Sequence, residues 1–425
     1  MNVMLPSANR HLTPGEFDKC CCLIDYYAAE GGAVTSYCLE RGRDPALYGR
    51  GNVWEGAFID AILKMLLSKK YNNINRLRLI GWHFSAYRVF DLAFAREPMA
   101  QGFINDFFYY RVAELPDDLD RHIAAIDPER RIARLAPRLR RILKSVDRRF
   151  VHGQPMRFGE IAGEFAGMMV NGDSVRYWST MAVLYRTGIL DRLERRIAER
   201  GFCRVMEIGP GYGGLAYQLK QTFGGRLQFI AVDLPESLVF SSIYLTTLSA
   251  DDYLLYRDEK TIDPHHGLIF VPAFRSPEFF AAVSEVDLCV NAISMSEMTA
   301  AQVDYYGRSI AGSLSDEGMF FEVNHEQDAV GPHVDCKSRL APHFEERLSV
   351  ANTEVANDGD LDIWARRLPD SVRAACAEHY PVRALDPVKA AARRRAGSAT
   401  KWLLRKLPPA TARHLEGRLR RLMGS

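Results

Sequence analysis

Four glycines within six residues, Gly209, Gly211, Gly213 and Gly214, separate the apolar run Cys203 to Ile208 from a helical pattern with Leu215, Leu219 and Phe223 on one face. Glycine lets a chain turn tightly and come close to a ligand without a Cβ in the way. The first turn of the following helix offers unpaired N–H groups beside it. A strand, a glycine turn and a helix in that order open a βαβ unit, which needs parallel partner strands to cover it. Candidates follow: Leu227 to Val232, Leu268 to Val271, Val286 to Val290 and Met319 to Val323, with helical stretches between them and Tyr305 to Leu314 before the last. The pattern predicts an α/β domain with a parallel sheet over residues 196–382. Beyond about residue 335 it weakens and leaves the remaining strands unplaced.

The 425 residues are enough for two domains, or for one with large additions. Hydrophobic residues at 47% and charged residues at 25% exclude a disordered or collagen-like chain. Over residues 1–195 apolar side chains recur at helical spacing, as in Phe58, Ile62, Met65 and Leu66, and predict a mostly helical N-terminal domain that could cap an acceptor. Arg130 to Arg149 carries nine basic residues and one acid, with Ile132, Leu135, Leu139, Ile142 and Val146 forming an apolar stripe interrupted at Pro137; it reads as a solvated amphipathic face.

Arg383 to Ser425 holds twelve Lys and Arg against two acids, about +10, which leaves about −8 elsewhere because the whole chain is +2. Trp402, Leu403 and Leu407, then Leu415, Leu419 and Leu422, make two basic amphipathic stretches in this tail. They suit either an anionic membrane surface or docking on the acidic body. No run is long and apolar enough to span a bilayer and no leader pattern is present, so a cytoplasmic protein is expected, with peripheral attachment at the inner membrane face through the tail. The eight cysteines, three of them adjacent at 20–22, are expected as reduced thiols, with Cys203 and Cys289 in the core.

Gly209, Gly211 and Gly214 alone satisfy the G-x-G-x-x-G spacing of a dinucleotide site, a weak signal that also suits S-adenosylmethionine. Glu207, at the strand end two residues before the first glycine, separates the two. A carboxylate there would repel a pyrophosphate, whereas S-adenosylmethionine carries a sulfonium and an ammonium and no phosphate. Asp233 ends the second strand 20 residues past Gly213, where it can accept hydrogen bonds from both ribose hydroxyls of either cofactor.

Glu207 to Leu215, then Val232-Asp233-Leu234-Pro235-Glu236, then Asn291-Ala292-Ile293-Ser294-Met295-Ser296-Glu297-Met298, resemble the sugar O-methyltransferase family of class I enzymes, over roughly Gly172 to His325. The glycine motif is general to class I methyltransferases; the Asp-Leu-Pro-Glu and Ser-Met-Ser-Glu-Met elements are more particular. The resemblance implies a Rossmann-like class I methyltransferase domain, in which S-adenosylmethionine is expected on Glu207, Gly209, Gly211, Gly213, Asp233 and Leu234. It also implies methylation of a sugar hydroxyl in glycan, polysaccharide or glycoconjugate assembly.

Methyl transfer to a hydroxyl needs alignment and a base. Ligands of open α/β sheets bind at the carboxyl ends of the strands, which nominates Asn291 after the fourth strand to orient the acceptor and His325 after the fifth as the base, with Glu297 as the runner-up. Asn291 and Glu297 could instead cap a helix starting near Met298. His265-His266 reads as turn material, and no cluster has metal-ligand spacing. The competing readings are a nicotinamide-dependent oxidoreductase and a non-catalytic nucleotide-binding protein at a membrane surface.

Overall fold

The computed structural model describes residues 3–51, 57–81, 121, 128–249, 252–324, 334–350 and 361–380. His325 and the basic tail Arg383 to Ser425 lie outside these residues. Strands β1 (Val3–Met4), β2 (Ala162–Phe165) and β3 (Met168–Val170) form a small antiparallel sheet. The other eight are β4 (Cys203–Ile208), β5 (Leu227–Asp233), β6 (Tyr253–Leu255), β7 (Leu268–Pro272), β8 (Val286–Ala292), β9 (Leu314–Val323), β10 (Glu346–Val350) and β11 (Leu361–Ala365). They form one sheet in the order β10-β11-β9-β8-β4-β5-β7-β6.

Neighbours from β9 through β6 pair in parallel, whereas β11 pairs antiparallel with both β9 and β10. The five central strands thus follow the doubly wound order around β4, as the sequence pattern predicts. A dinucleotide fold would continue with a sixth parallel strand beside β9; here the antiparallel β11 takes that place.

Period-two alternation explains why both faces are covered. Cys203 and Val205 of β4 join one apolar cluster, and Met206 and Ile208 join the other. In β5, Leu227, Phe229 and Ala231 face the first cluster while Ile230 and Val232 face the second. Strands buried on both sides read as continuous apolar runs, which made these five legible. The first cluster also takes in Tyr26, Ile80, Phe158 and Trp178, so the N-terminal half shares the core of the sheet.

Helix α1 (Pro14–Glu40) starts at Thr13, whose side chain and Glu16 form a reciprocal capping box, and it packs on the helix that follows β5. Further helices that bear on the site are α2 (Gly172–Arg186), α3 (Gly214–Phe223), α4 (Pro235–Leu248) and α5 (Ala300–Ser313). The basic segment is helical over Pro128–Leu143 and runs through Pro137 without a break, burying Leu139 and Ile142. The β2–β3 hairpin is a non-helical element in the half expected to be mostly helical. Its two-residue turn, Ala166-Gly167, holds φ values of 52° and 74°, the left-handed pair that matches strand twist. All eight cysteines are free thiols, with Cys203 and Cys289 fully buried. Among the described residues no helix is long and apolar enough to cross a membrane.

Candidate functional site

At the carboxyl end of β4 the chain enters the glycine turn, and Gly209 N–H donates to the carbonyl of Val232 at 2.8 Å. Gly209 has φ 70°, and a Cβ on it would overlap Ser294 Oγ. At Gly214, the first residue of α3, a Cβ would collide with the hydroxyl-bearing edge of the Tyr177 ring. These two glycines are therefore demanded by close protein packing as well as by any ligand. Gly211 and Gly213 continue the turn with φ 56° and 88°.

Asn291 is fully buried and its amide is committed. It donates to the Ile208 carbonyl at 2.8 Å and to Ser294 Oγ at 2.6 Å, and accepts from Met295 N–H at 3.2 Å. Ser294 Oγ donates to the same Ile208 carbonyl at 3.1 Å. Between them Ile293 holds φ 80°, a conformation that costs a β-branched residue on the order of 1–3 kcal/mol. Its N–H is anchored on the Val323 carbonyl at 2.7 Å. Asn291 thus braces the first glycine against the β8 loop, and the acceptor-orienting role expected of it is corrected: its polar atoms are spent inside the protein. The capping alternative fails too, because α5 is capped by Thr299 in a box with Gln302. Glu297 ends a short 3-10 turn, Ser294–Glu297, and is partly buried.

Glu207 is 5% exposed, and its Oε2 has no hydrogen-bond partner among the described residues. Burial pushes its carboxyl up to about 8; Arg176 pulls it down and Asp233 pushes it further up. Asp233 accepts from Leu234 N–H at 2.8 Å. Burial raises this carboxyl to about 7, opposed by the N–H groups of Leu234 and Gly211 and reinforced by the charges of Glu236 and Glu297. Leu234 acts here through its backbone, as the N-cap of α4. Burial holds both carboxyls above their ordinary range, and the charge of Asp233 is felt at Glu207.

A small cleft opens beside the turn. Glu207, Gly209 and Gly211 line it from the sheet, and Arg176, Tyr177 and Thr180 line it from α2. The α2 residues were missed from sequence. Their spacing places them on one helix face, but no local signal joins that face to a turn some thirty residues later. Equally unforeseen is the support beneath the turn. Arg78, fully buried, pairs with Glu160 at 2.9 Å and with Asp173, and its guanidinium lies 4.5 Å from the centre of the Tyr212 ring. Burial pushes Glu160 up to about 7, with Arg78 lowering it and Asp173 raising it.

Asn324 follows β9, donates to Glu322 at 2.6 Å and accepts from Ser296 N–H at 3.1 Å, tying the β8 and β9 loops together. His265 and His266 form a turn over Asp263, as expected. No group of three or more His, Cys, Asp or Glu that could hold a metal occurs among the described residues.

No family model matches the chain, and no curated protein matches it. Among solved structures it is similar to the mitomycin 7-O-methyltransferase MmcR, at 14% identity over 44% of this chain and 56% of that one, with a TM-score of 0.27. It is also similar to the pyocyanin biosynthetic protein PhzM, at 12% identity over 45% and 57% of the two chains with a TM-score of 0.30. A third similar structure is PigF with SAH, at 12% identity over 60% and 77% with a TM-score of 0.29. The match spans little more than half the length of the first two proteins.

Proposed function

We propose that the chain is an S-adenosylmethionine-dependent O-methyltransferase acting on a sugar hydroxyl. The single observation that carries the cofactor reading is Glu207, a buried carboxylate with an unpartnered oxygen at the mouth of a glycine turn. An acid there suits a sulfonium and an ammonium and would repel a pyrophosphate. The antiparallel β11 in place of a sixth parallel strand favours the same choice over a nicotinamide dinucleotide. Calorimetry of the purified chain with S-adenosylhomocysteine, NAD and NADP tests it: binding of the first alone is expected, and tight NAD binding without a response to S-adenosylhomocysteine overturns the assignment. The sugar acceptor rests on the motif resemblance around Asp233 and Ser294 to Met298.

When bound, S-adenosylmethionine supplies a methyl group already activated on a cationic sulfur. The residues then have to align an acceptor oxygen and exclude water. Glu207 complements the positive end, and Asp233 accepts from the ribose hydroxyls. Asp233→Ala removes one or two charge-assisted hydrogen bonds, each roughly 1.5–3 kcal/mol, so affinity for S-adenosylhomocysteine is expected to fall about tenfold or more. Unchanged affinity in that variant removes Asp233 from the site.

A sugar hydroxyl is a weak nucleophile while protonated, so the chain must take its proton as the oxygen reacts. We assign this to His325, directly after the anchored Asn324, because an imidazole titrates near neutrality; Glu297 is the runner-up. His325→Ala is expected to bind S-adenosylhomocysteine normally and turn over about 10² to 10⁴ times more slowly. Full turnover on the true acceptor transfers the role to Glu297, which Glu297→Gln then checks.

A further inference from the structure

Many arginines of this fold are answered by acids. On the helix Ile189–Arg200, Arg192 pairs with Glu317, and Arg196 and Arg200 share Asp287. The basic helix Pro128–Leu143 and the turn after it are different. Their apolar side chains Leu139, Ile142 and Val146 are spent in the shared core. A period of 3.6 residues sets Arg134, Arg141 and Lys144 on the opposite side with Arg140 beside them, and all four are exposed. Among the described residues no ion pair joins Arg140, Arg141 or Lys144 to a carboxylate. Asp147, the one acid of the segment, is taken by Arg149. Arg134 and Arg138 are four residues apart and Arg138 and Arg141 three, spacings at which like charges repel. Arg138 is half-buried, and burial and the charge of Arg141 both disfavour its charged form.

We propose that this exposed face, Arg134, Arg140, Arg141 and Lys144, docks the protein on a bilayer surface rich in anionic phospholipid. A guanidinium matches phosphate oxygens in paired hydrogen bonds, and bases gathered on one face add their attraction to a surface of fixed negative charge. A nucleic acid also offers phosphates, but single strands are held by stacking on exposed aromatic side chains. The exposed large hydrophobic residues among those described are Leu39, Leu67, Tyr71 and Tyr253, none of them in this segment. The chain's own tail, Arg383 to Ser425, has the same sign of charge and is repelled. Because the basic helix packs on α2, which lines the cleft, docking would hold the cleft-bearing helix one helix away from the lipid. The proposal does not depend on the cofactor reading.

The test is sedimentation of the full chain with vesicles of phosphatidylserine and phosphatidylcholine in equal parts, and with vesicles of phosphatidylcholine alone. The wild type is expected to partition onto the anionic vesicles and not the neutral ones, less so as salt is added. Each basic residue near such a surface contributes about fivefold. The triple variant Arg140→Gln, Arg141→Gln, Lys144→Gln should therefore partition about a hundredfold more weakly. Circular dichroism checks that it folds; if it does not, the double variant Arg140→Gln, Arg141→Gln replaces it, with a loss of about twenty-fivefold expected. The tail is unchanged in both variants, so partition equal to wild type assigns any attachment elsewhere and overturns the proposal. A wild type that ignores anionic vesicles overturns it too. Tighter binding of a nucleic acid duplex than of the vesicles through the same residues, or self-association through them, overturns it in favour of that partner.

Discussion

Arg78→Met is expected to destabilise the protein by about 3–5 kcal/mol, the usual loss when one partner of a buried ion network is deleted and the other is left uncompensated. Arg78 is the cation for two buried carboxylates, Glu160 and Asp173, which reach it from the loop before β2 and the first turn of α2. Glu160 is held further by Asn171, and its backbone N–H donates to Asn9 at 2.8 Å. Removing the guanidinium therefore loosens the N-terminal segment, the small sheet and α2 at once. Urea unfolding of wild type and variant measures the loss. Combining Arg78→Met with Glu160→Gln and Asp173→Asn should recover much of the stability, because the uncompensated charges go too. A single variant within 1 kcal/mol of wild type, on the order of an exposed pair, would show that the network contributes little. The effect should reach the cleft as well, since Arg78 lies under Tyr212 in the middle of the glycine turn.

Glu207→Gln is expected to stabilise the ligand-free protein at alkaline pH while weakening its hold on S-adenosylhomocysteine. The folded-state value of Glu207, about 8, lies above its ordinary 4.5. Between those values the unfolded chain has lost a proton that the folded chain keeps, so stability falls as pH rises. Asp233, Glu160 and Glu322, each pushed up to about 7 chiefly by burial, add slope in the same direction. Wild-type unfolding free energy should thus decline from about pH 5 towards pH 8, and the glutamine variant's should decline less, by an amount on the order of a few kcal/mol at the upper end, as urea unfolding across that range would read. Parallel curves for the two proteins would place Glu207 in an ordinary solvated environment. An ammonium-bearing ligand favours the charged carboxylate, so wild-type binding near pH 7 should release a proton, read as a dependence of binding heat on the buffer's ionisation enthalpy. The variant should release less. The carboxylate is thus kept at the expense of the empty fold, as expected where a site is built for a charged ligand.

What was legible in the sequence is what local pattern controls. The five central strands stood out because burial on both faces makes each a short apolar run. The glycine turn stood out because left-handed backbone at Gly209, Gly211 and Gly213 and close packing at Gly214 disfavour side chains there. Glu207 and Asp233 could be placed at strand ends by counting from those runs. Three strands of the large sheet stayed hidden. β6 is a three-residue edge strand, β10 alternates in burial but spends an inward position on Glu346 and fully buries only Val350, and β11 carries Asp362 in its buried interior, matched by Arg347 and Lys337.

Tertiary structure alone decided the rest, because its partners are remote in the chain. Arg78 meets Asp173 across 95 residues, and Asn291 meets the Ile208 carbonyl across 83. No spacing rule connects residues that become neighbours only when the sheet closes, so the sequence could nominate Asn291 as polar and well placed without revealing that its hydrogen bonds were already taken. Arg176 is the same case in reverse: nothing local marks it, and it reaches the cleft only because the packing of Tyr177 on Gly214 sets α2 against the start of α3. The sequence by itself determined that an acid would stand at the mouth of a glycine turn, since strand period and turn geometry are local. The fold decided that a guanidinium would share its cleft, since that depends on how a separate helix docks.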